Sequence, residues 1–502
     1  MRVERAGALL VAGTTSDAGK SVLTTGLCRA FARRGISVAP FKAQNMSNNS
    51  MVTDDGAEIG RAQWVQAVAA RTRPEAAMNP VLLKPGTDKR SHVVLLGRAH
   101  GTLDAGEFAG SRGELAEAAF AAFDDLARRY DVVVCEGAGS PTEINLRRWD
   151  YVNMGLAQHG GIPTIVVGDI DRGGVFAAMY GTLALLDAAD QALLAGFVIN
   201  KFRGDVSLLR PGLDMLEQLT GRPVLGVLPW QRDLWLDSED ALALEDRPRA
   251  ARDAAVRPLR VAVVAMPRIS NFTDIDALCL EPGVEVGFAR HPHDLDGADL
   301  VVLPGTRSTL ADLQWLRERR LADAVVAHAG RGGVVLGICG GFQMLGRSIE
   351  DPSGVEGTAG GVAQGLGLLE TRTVFGPDKV VRLVEGRALG EPAHGYEVHH
   401  GRVTASDGEE FVGGVCTGSV FGTMWHGSLE ADGFRRAWLS IVAGLLGRDD
   451  FRPGSVGFAQ AREARIDALA DAAEEHLDVD AILRLVQNGA PTGLPVVRGL
   501  LG

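Results

Sequence analysis

The chain is 502 residues long, 46% hydrophobic and 23% charged, with a formal net charge of −12. That length is too great for one hydrophobic core and predicts two domains, or three. The acidity, with no Lys/Arg block that could track phosphates, argues against a nucleic-acid or membrane-surface partner. No run of about twenty apolar residues could span a bilayer. The opening MRVERAGALLVAG has too short an apolar stretch for a signal-peptide core. The five cysteines (Cys28, Cys135, Cys279, Cys339 and Cys416) are odd in number and form no C-x-x-C pair. This predicts neither disulfides nor a structural zinc, and a cytoplasmic protein.

Short β-branched runs alternate with Ala/Leu-rich helical patterns along most of the chain. The alternation predicts an α/β fold of two doubly wound, mostly parallel sheets covered by helices. In the first half, strands are predicted at 8–12, 38–41, 132–135, 164–168, 197–200 and 224–228. Residues 245–257, EDRPRAARDAAVR, have no apolar stripe and read as a linker. Strands resume at 260–265, 284–289, 300–303, 333–337 and 395–398. Apolar spacing of three and four predicts a C-terminal helix over 466–486, packed on the second domain. The expected division is therefore 1–244, a linker, and 258–502.

The first strand runs into Gly13-Thr14-Thr15-Ser16-Asp17-Ala18-Gly19-Lys20-Ser21, followed by a helical stretch over 22–33. This is a P-loop of the form G-x-x-x-x-x-G-K-S, whose backbone N–H groups and helix N-terminus suit phosphates. Gly13, Thr14, Thr15, Asp17, Ala18 and Gly19 line the expected cradle for ATP. Lys20 is placed to reach the terminal phosphates, and Ser21 to ligate Mg²⁺. A glycine-rich turn that binds nothing is the competing reading, and the Lys-Ser pair between strand and helix argues against it. Strand 132–135 delivers Glu136 to the sheet edge where such folds hold ligands, as a second metal ligand or simply a solvent-facing strand end. Asp54, or its neighbour Asp55, offers another carboxylate. Asn200 and Lys201 stand where an adenine ring is held.

In the second half, an apolar strand leads into Gly337-Ile338-Cys339-Gly340-Gly341 and a helix. The pattern fits a nucleophile elbow with Cys in place of Ser. A helix N-terminus lowers a thiol's pKa toward thiolate, and the Gly340 N–H can help hold an oxyanion. Gly305, in Leu303-Pro304-Gly305-Thr306-Arg307-Ser308, is a second candidate donor. The thiol needs a base, and His426 in TMWHG is favoured over His399 and His400 in GYEVHHGRV.

The elbow with the later Trp425-His426-Gly427 resembles a class I glutamine amidotransferase domain. Behind a P-loop domain of the dethiobiotin synthetase type, it is similar to enzymes that amidate corrin side chains. FKAQNMSNNS (41–50), DGAEIGRAQ (55–63), NPVLLKP (79–85), SPTEINL (140–146) and DYVNMG (150–155) narrow the resemblance to the cobyric acid synthase family. It covers nearly the whole chain.

The resemblance implies ATP- and glutamine-dependent amidation of the b, d, e and g carboxylates of adenosylcobyrinic acid a,c-diamide, giving adenosylcobyric acid. It implies a shielded ammonia route between the two sites. It also implies a Cys–His dyad, because Ser428 occupies the position of the usual glutamate and Glu430 comes only four residues after His426. His92 stands where the family leads one to expect Gln. Asp150, in the polar loop 143–153, is a further candidate catalytic carboxylate, although a helix-capping Asp would look the same. The rivals are a cobyrinic or hydrogenobyrinic acid a,c-diamide synthase-type ligase, and a non-catalytic P-loop regulator with a degenerate amidotransferase domain. The QNMSNNS stretch argues against the first; retention of Lys20, Ser21, Glu136, Cys339 and His426 argues against the second.

Overall fold

The computed structural model describes residues 7–86, 90–104, 108–231, 257–356 and 360–497. The predicted linker lies outside the described residues except for Arg257. Six parallel strands form the first sheet, in the order Val224–Pro229, Leu194–Phe202, Thr164–Asp169, Gly7–Gly13, Val132–Glu136, Val38–Phe41. Every strand predicted in the first half is present. Their runs are apolar on both faces because both faces are covered. Helices Phe108–Arg129, Met154–Gly160, Val175–Ala184 and Val206–Thr220 bury one side, and helices Lys20–Arg33 and Arg61–Ala69 bury the other.

The second sheet runs Val284–Ala289, Leu259–Val264, Leu300–Leu303, Val334–Ile338, Val420–Thr423, then Gly414–Thr417 and Glu409–Phe411, the last two antiparallel. The expected α/β class with mostly parallel sheets is therefore what forms. The predicted strand at 395–398 lies elsewhere, in a long antiparallel hairpin of Thr371–Ala388 with Glu391–Ala405.

The predicted C-terminal helix is two helices, Phe458–His476 and Val479–Asn488. They pack on the first sheet rather than the second, which corrects the expectation. Ile466, Ala473, Ile482 and Val486 join Leu9, Val11, Leu27 and Phe31 in one buried cluster. A Cβ at Gly26 would lie 2.8 Å from the Leu469 carbonyl, so the helix axes meet closely there. Apolar spacing identifies a buried helical face but not the surface that buries it.

Residues 44–104 hold strands the periodicity did not reveal. One small sheet runs Gln44–Met46, Val81–Pro85, Arg90–Leu95, Arg98–Asp104, and a hairpin pairs Ser50–Val52 with Glu58–Gly60. The hairpin docks on the second half, where Val52 packs against Tyr396 and Val398. Across the same junction the Ser308 hydroxyl donates to the Gly86 carbonyl at 3.2 Å.

Candidate functional site

The phosphate cradle sits at the C-terminal edge of the first sheet. Gly19 caps helix Lys20–Arg33 at φ 100°, a left-handed conformation that favours glycine. A Cβ there would lie 2.0 Å from Asn200 Nδ2. Asn200 is buried and donates to the Ala18 carbonyl at 2.9 Å, bracing the loop from the next strand but one. Lys20 Nζ donates to the carbonyls of Thr15 (2.8 Å), Ser16 (3.1 Å) and Gly139 (3.1 Å), which holds the ammonium in the hollow of the loop. Thr14 N–H donates to Val167 O at 2.9 Å. Asp17 turns outward and pairs with Arg172 at 3.1 Å.

Glu136 is fully buried at the end of its strand. Its Oε1 accepts from Ser21 Oγ and from Lys42 Nζ, both at 2.9 Å, and its Oε2 accepts from Gln66 Nε2 at 2.5 Å. Burial pushes this carboxyl up, but Lys42, Gln66 and Lys20 together hold it below the ordinary carboxylate range. Ser21 and Glu136 thus present two hard oxygens side by side, a donor set that fits Mg²⁺. Asp54 does not join them. It is 62% exposed and paired with Arg73 at 3.0 Å, because the chain after the second strand folds into the 50–60 hairpin and carries it to the surface.

Asp150 lies just before helix Met154–Gly160. Its Oδ1 accepts from the N–H groups of Val152 and Asn153, both at 2.8 Å, and its Oδ2 from Gly155 N–H at 3.2 Å. These bonds hold the carboxylate against the start of helix Met154–Gly160, whose N-cap residue is Asn153.

In the second half, Cys339 takes φ 49°, ψ −108° between strand Val334–Ile338 and the one-and-a-half turns of helix Gly340–Leu345. A Cβ at Gly341 would lie 1.9 Å from Leu303 O, so neighbouring backbone passes directly beneath the elbow. This strained Cys, buried from bulk solvent, has the backbone geometry of a nucleophile on a tight turn. Cys339 lies close enough to His426 to raise the pKa of its imidazole, and Gly305 lies against the same ring.

The imidazole Nδ1 is 2.7 Å from Asp274 Oδ2, while Gly427 N–H donates to Asp274 Oδ1 at 2.7 Å. Tyr396 stacks on the ring with centroids 5.4 Å apart. Burial lowers the pKa of His426, but Asp274 and Cys339 more than offset this and push it up to about 10. The structure therefore adds a carboxylate where a dyad was expected. Asp274 lies 152 residues before the histidine in a short loop turn, with no motif to mark it. Glu430 faces away and joins Arg61 at 2.6 Å and Arg462 at 2.9 Å.

Cys339 opens into a cavity also lined by Gln343, Arg307 and Glu356, with His399 and His400 on its hairpin wall. Burial raises Glu356 to about 7, Arg307 partly offsetting it. His400 is lowered by burial to about 4 and contacts Gly376 O at 3.2 Å. The far wall is Lys379 together with Lys84, the latter from the first half. These lysines share Glu58, whose Oε1 accepts from Lys84 Nζ at 2.6 Å and whose Oε2 accepts from Lys379 Nζ. Burial lowers Lys379 to about 8. His92 belongs to this junction and is lowered by burial to about 3, so it is a neutral group like the Gln expected there.

Among the described residues, no helix is long and apolar enough to cross a membrane. No group of three or more His, Cys, Asp or Glu gathers as a metal site among them.

Residues 9–242 match the CobQ/CobB/MinD/ParA nucleotide binding domain family, and residues 260–434 match the CobB/CobQ-like glutamine amidotransferase domain family. The chain is 64% identical over 492 residues to the cobyric acid synthase of Mycolicibacterium gilvum, covering 97% of this chain and 98% of that one. Identity and coverage are the same for the cobyric acid synthase of Mycolicibacterium vanbaalenii. The cobyric acid synthase of Mycobacterium tuberculosis is 64% identical over 494 residues, with 97% and 98% covered.

Proposed function

Because this chain belongs to the cobyric acid synthase family, we propose that Cys339 and His426 release ammonia from glutamine and that the Lys20 loop activates the carboxylate that receives it. The protein is an ATP- and glutamine-dependent carbon–nitrogen ligase of cobalamin biosynthesis. It amidates the b, d, e and g carboxylates of adenosylcobyrinic acid a,c-diamide. The observation that carries the residue assignment is Cys339, strained on its elbow beside His426, in a cavity to which the first half contributes Lys84.

A carboxylate repels nucleophiles, so an oxygen of the substrate first takes the γ-phosphoryl group of ATP, with ADP leaving. Lys20 and the N–H groups of residues 13–19 offset charge on the phosphoryl oxygens. Ser21 and Glu136 would hold Mg²⁺, which supplies further charge neutralisation when bound. Cys339 attacks the glutamine amide, forming a γ-glutamyl thioester as His426 delivers a proton to the departing ammonia, and water then hydrolyses the thioester to glutamate and free thiol. Gly340 and Gly305 N–H groups are the proposed oxyanion donors. Arg307 and Glu356 suit the α-carboxylate and α-ammonium of glutamine. The ammonia then displaces phosphate from the acyl phosphate, reaching it past Lys84 and Lys379, away from bulk water.

The proposed units are the synthetase over 1–244 and the amidotransferase from 258, with the final helices serving the first. The five free thiols fit a cytoplasmic setting. Mass spectrometry of adenosylcobyrinic acid a,c-diamide incubated with the protein, ATP and Mg²⁺ tests the assignment. Cys339→Ala is expected to add amides from ammonium but not from glutamine; loss of both would contradict separate sites.

A further inference from the structure

Asp274 lies in a single turn, Phe272–Ile275, that belongs to no sheet and to no long helix. Such a turn holds its shape through external contacts, since four residues fix little by themselves. Two of those contacts come from the other half of the chain. Ser50 N–H donates to Asn271 Oδ1 at 2.9 Å, and Thr273 Oγ1 donates to Asn49 Oδ1 at 3.3 Å. Asn271 itself takes φ 48° and accepts from Asp274 N–H at 2.9 Å, which ties the two ends of the turn together. Asn49, Ser50, Asn271, Thr273 and Asp274 are all buried. Undocking would leave these polar groups without their partners, and each such loss is costly.

The same Ser50 donates its hydroxyl to Glu58 Oε1 at 2.8 Å and accepts from Lys84 Nζ at 2.9 Å. The strut is thus continuous from the first half's hairpin to the carboxylate behind His426. Both oxygens of Asp274 are committed, one to the ring and one to Gly427 N–H, so the ring's orientation follows the turn.

We propose that Asp274 is the positioning residue of the glutaminase, and that Asn49 and Ser50 of the first half set its place through Asn271 and Thr273. Glutamine hydrolysis then proceeds at full rate only while the 50–60 hairpin is docked, so release of ammonia is tied to the presence of the site that uses it. This rests on the reading of Cys339 and His426 as the glutaminase pair.

The test is steady-state kinetics with glutamine, with ammonium-driven amidation by the same preparations reporting that they are folded. In Asp274→Asn, kcat for glutamine hydrolysis is expected to fall about 100-fold, as an amide neither fixes the tautomer of the neutral ring nor stabilises its charged form. KM for glutamine should stay within about twofold, and alkylation of Cys339 by iodoacetamide should slow with kcat. The double variant Asn271→Gly, Thr273→Val keeps the left-handed turn and the volume at 273 but removes the strut, and should lose about tenfold in the same kcat. Wild-type kcat in Asp274→Asn overturns the positioning role, and wild-type kcat in the double variant overturns the coupling. If Asp274→Asn does not accumulate, the double variant decides alone. Glutamine hydrolysis persisting in Cys339→Ala would defeat the underlying reading; its loss there beside a normal Asp274→Asn defeats this proposal only.

Discussion

The phosphate cradle and the cysteine elbow occupy equivalent places, each a glycine-bearing turn between a central parallel strand and a helix. They are assembled in opposite ways. The cradle is mostly local: two of the three carbonyls holding Lys20 are four and five residues away, the third being Gly139, and the left-handed position is a glycine. The elbow puts its strain on a non-glycine residue and collects its chemistry from afar. His426 arrives from a neighbouring strand end, and Asp274 from a turn that the other half braces. The difference follows from the chemistry. Backbone N–H groups that bind phosphate come with the turn itself, whereas a nucleophile needs side chains of other kinds, which only tertiary packing can bring to one point.

Substitutions can break or sharpen this contrast. Lys20→Ala should lower amidation from both glutamine and ammonium by about 1,000-fold, through loss of charge stabilisation on the phosphoryl group. Glutamate release by Cys339 should persist, and its parallel loss would mean that the two turns do not act separately. Glu356→Gln should raise the KM for glutamine about tenfold with little change in ammonium-driven rate, measured by initial rates.

The unmodified protein adds a pH signature, because Glu356 titrates near 7. Below that pH the carboxyl protonates and loses its attraction for the α-ammonium, so KM should rise as pH falls. The rise should be absent from Glu356→Gln.

Two changes behind the cradle test how far its local character extends. Gly26→Val would drive a side chain into Leu469 O and Ala473, forcing helix Phe458–His476 off the first sheet. A loss of about 2 kcal/mol is expected from overpacking, read as a lower urea midpoint. Arg34→Ala removes only an exposed pair with Asp480 and should cost less than about 0.5 kcal/mol in the same assay.

The contrast also explains what could be read in advance. The six strands of the first sheet and four of the second were legible because burial on both faces leaves continuous apolar runs. Cys339, His426, Lys20, Ser21 and Glu136 could be proposed from the sequence because each sits at a strand end beside glycines or in a contiguous motif. Asp54 was misjudged for a physical reason. A carboxylate in a polar loop looks the same whether it faces a metal, caps a helix or pairs with a surface arginine.

By itself the amino-acid sequence determined the α/β class, the P-loop, the cysteine elbow and the family resemblance, since all of these are carried by residues within a few positions of one another. Only the tertiary structure decided that Asp274 stands behind His426, that Glu58 is shared by lysines from both halves, and that the last two helices belong to the first sheet. Those are contacts between residues far apart in the chain. Local periodicity and spacing record which face of an element is apolar or which turn is tight, but not which distant surface will meet it.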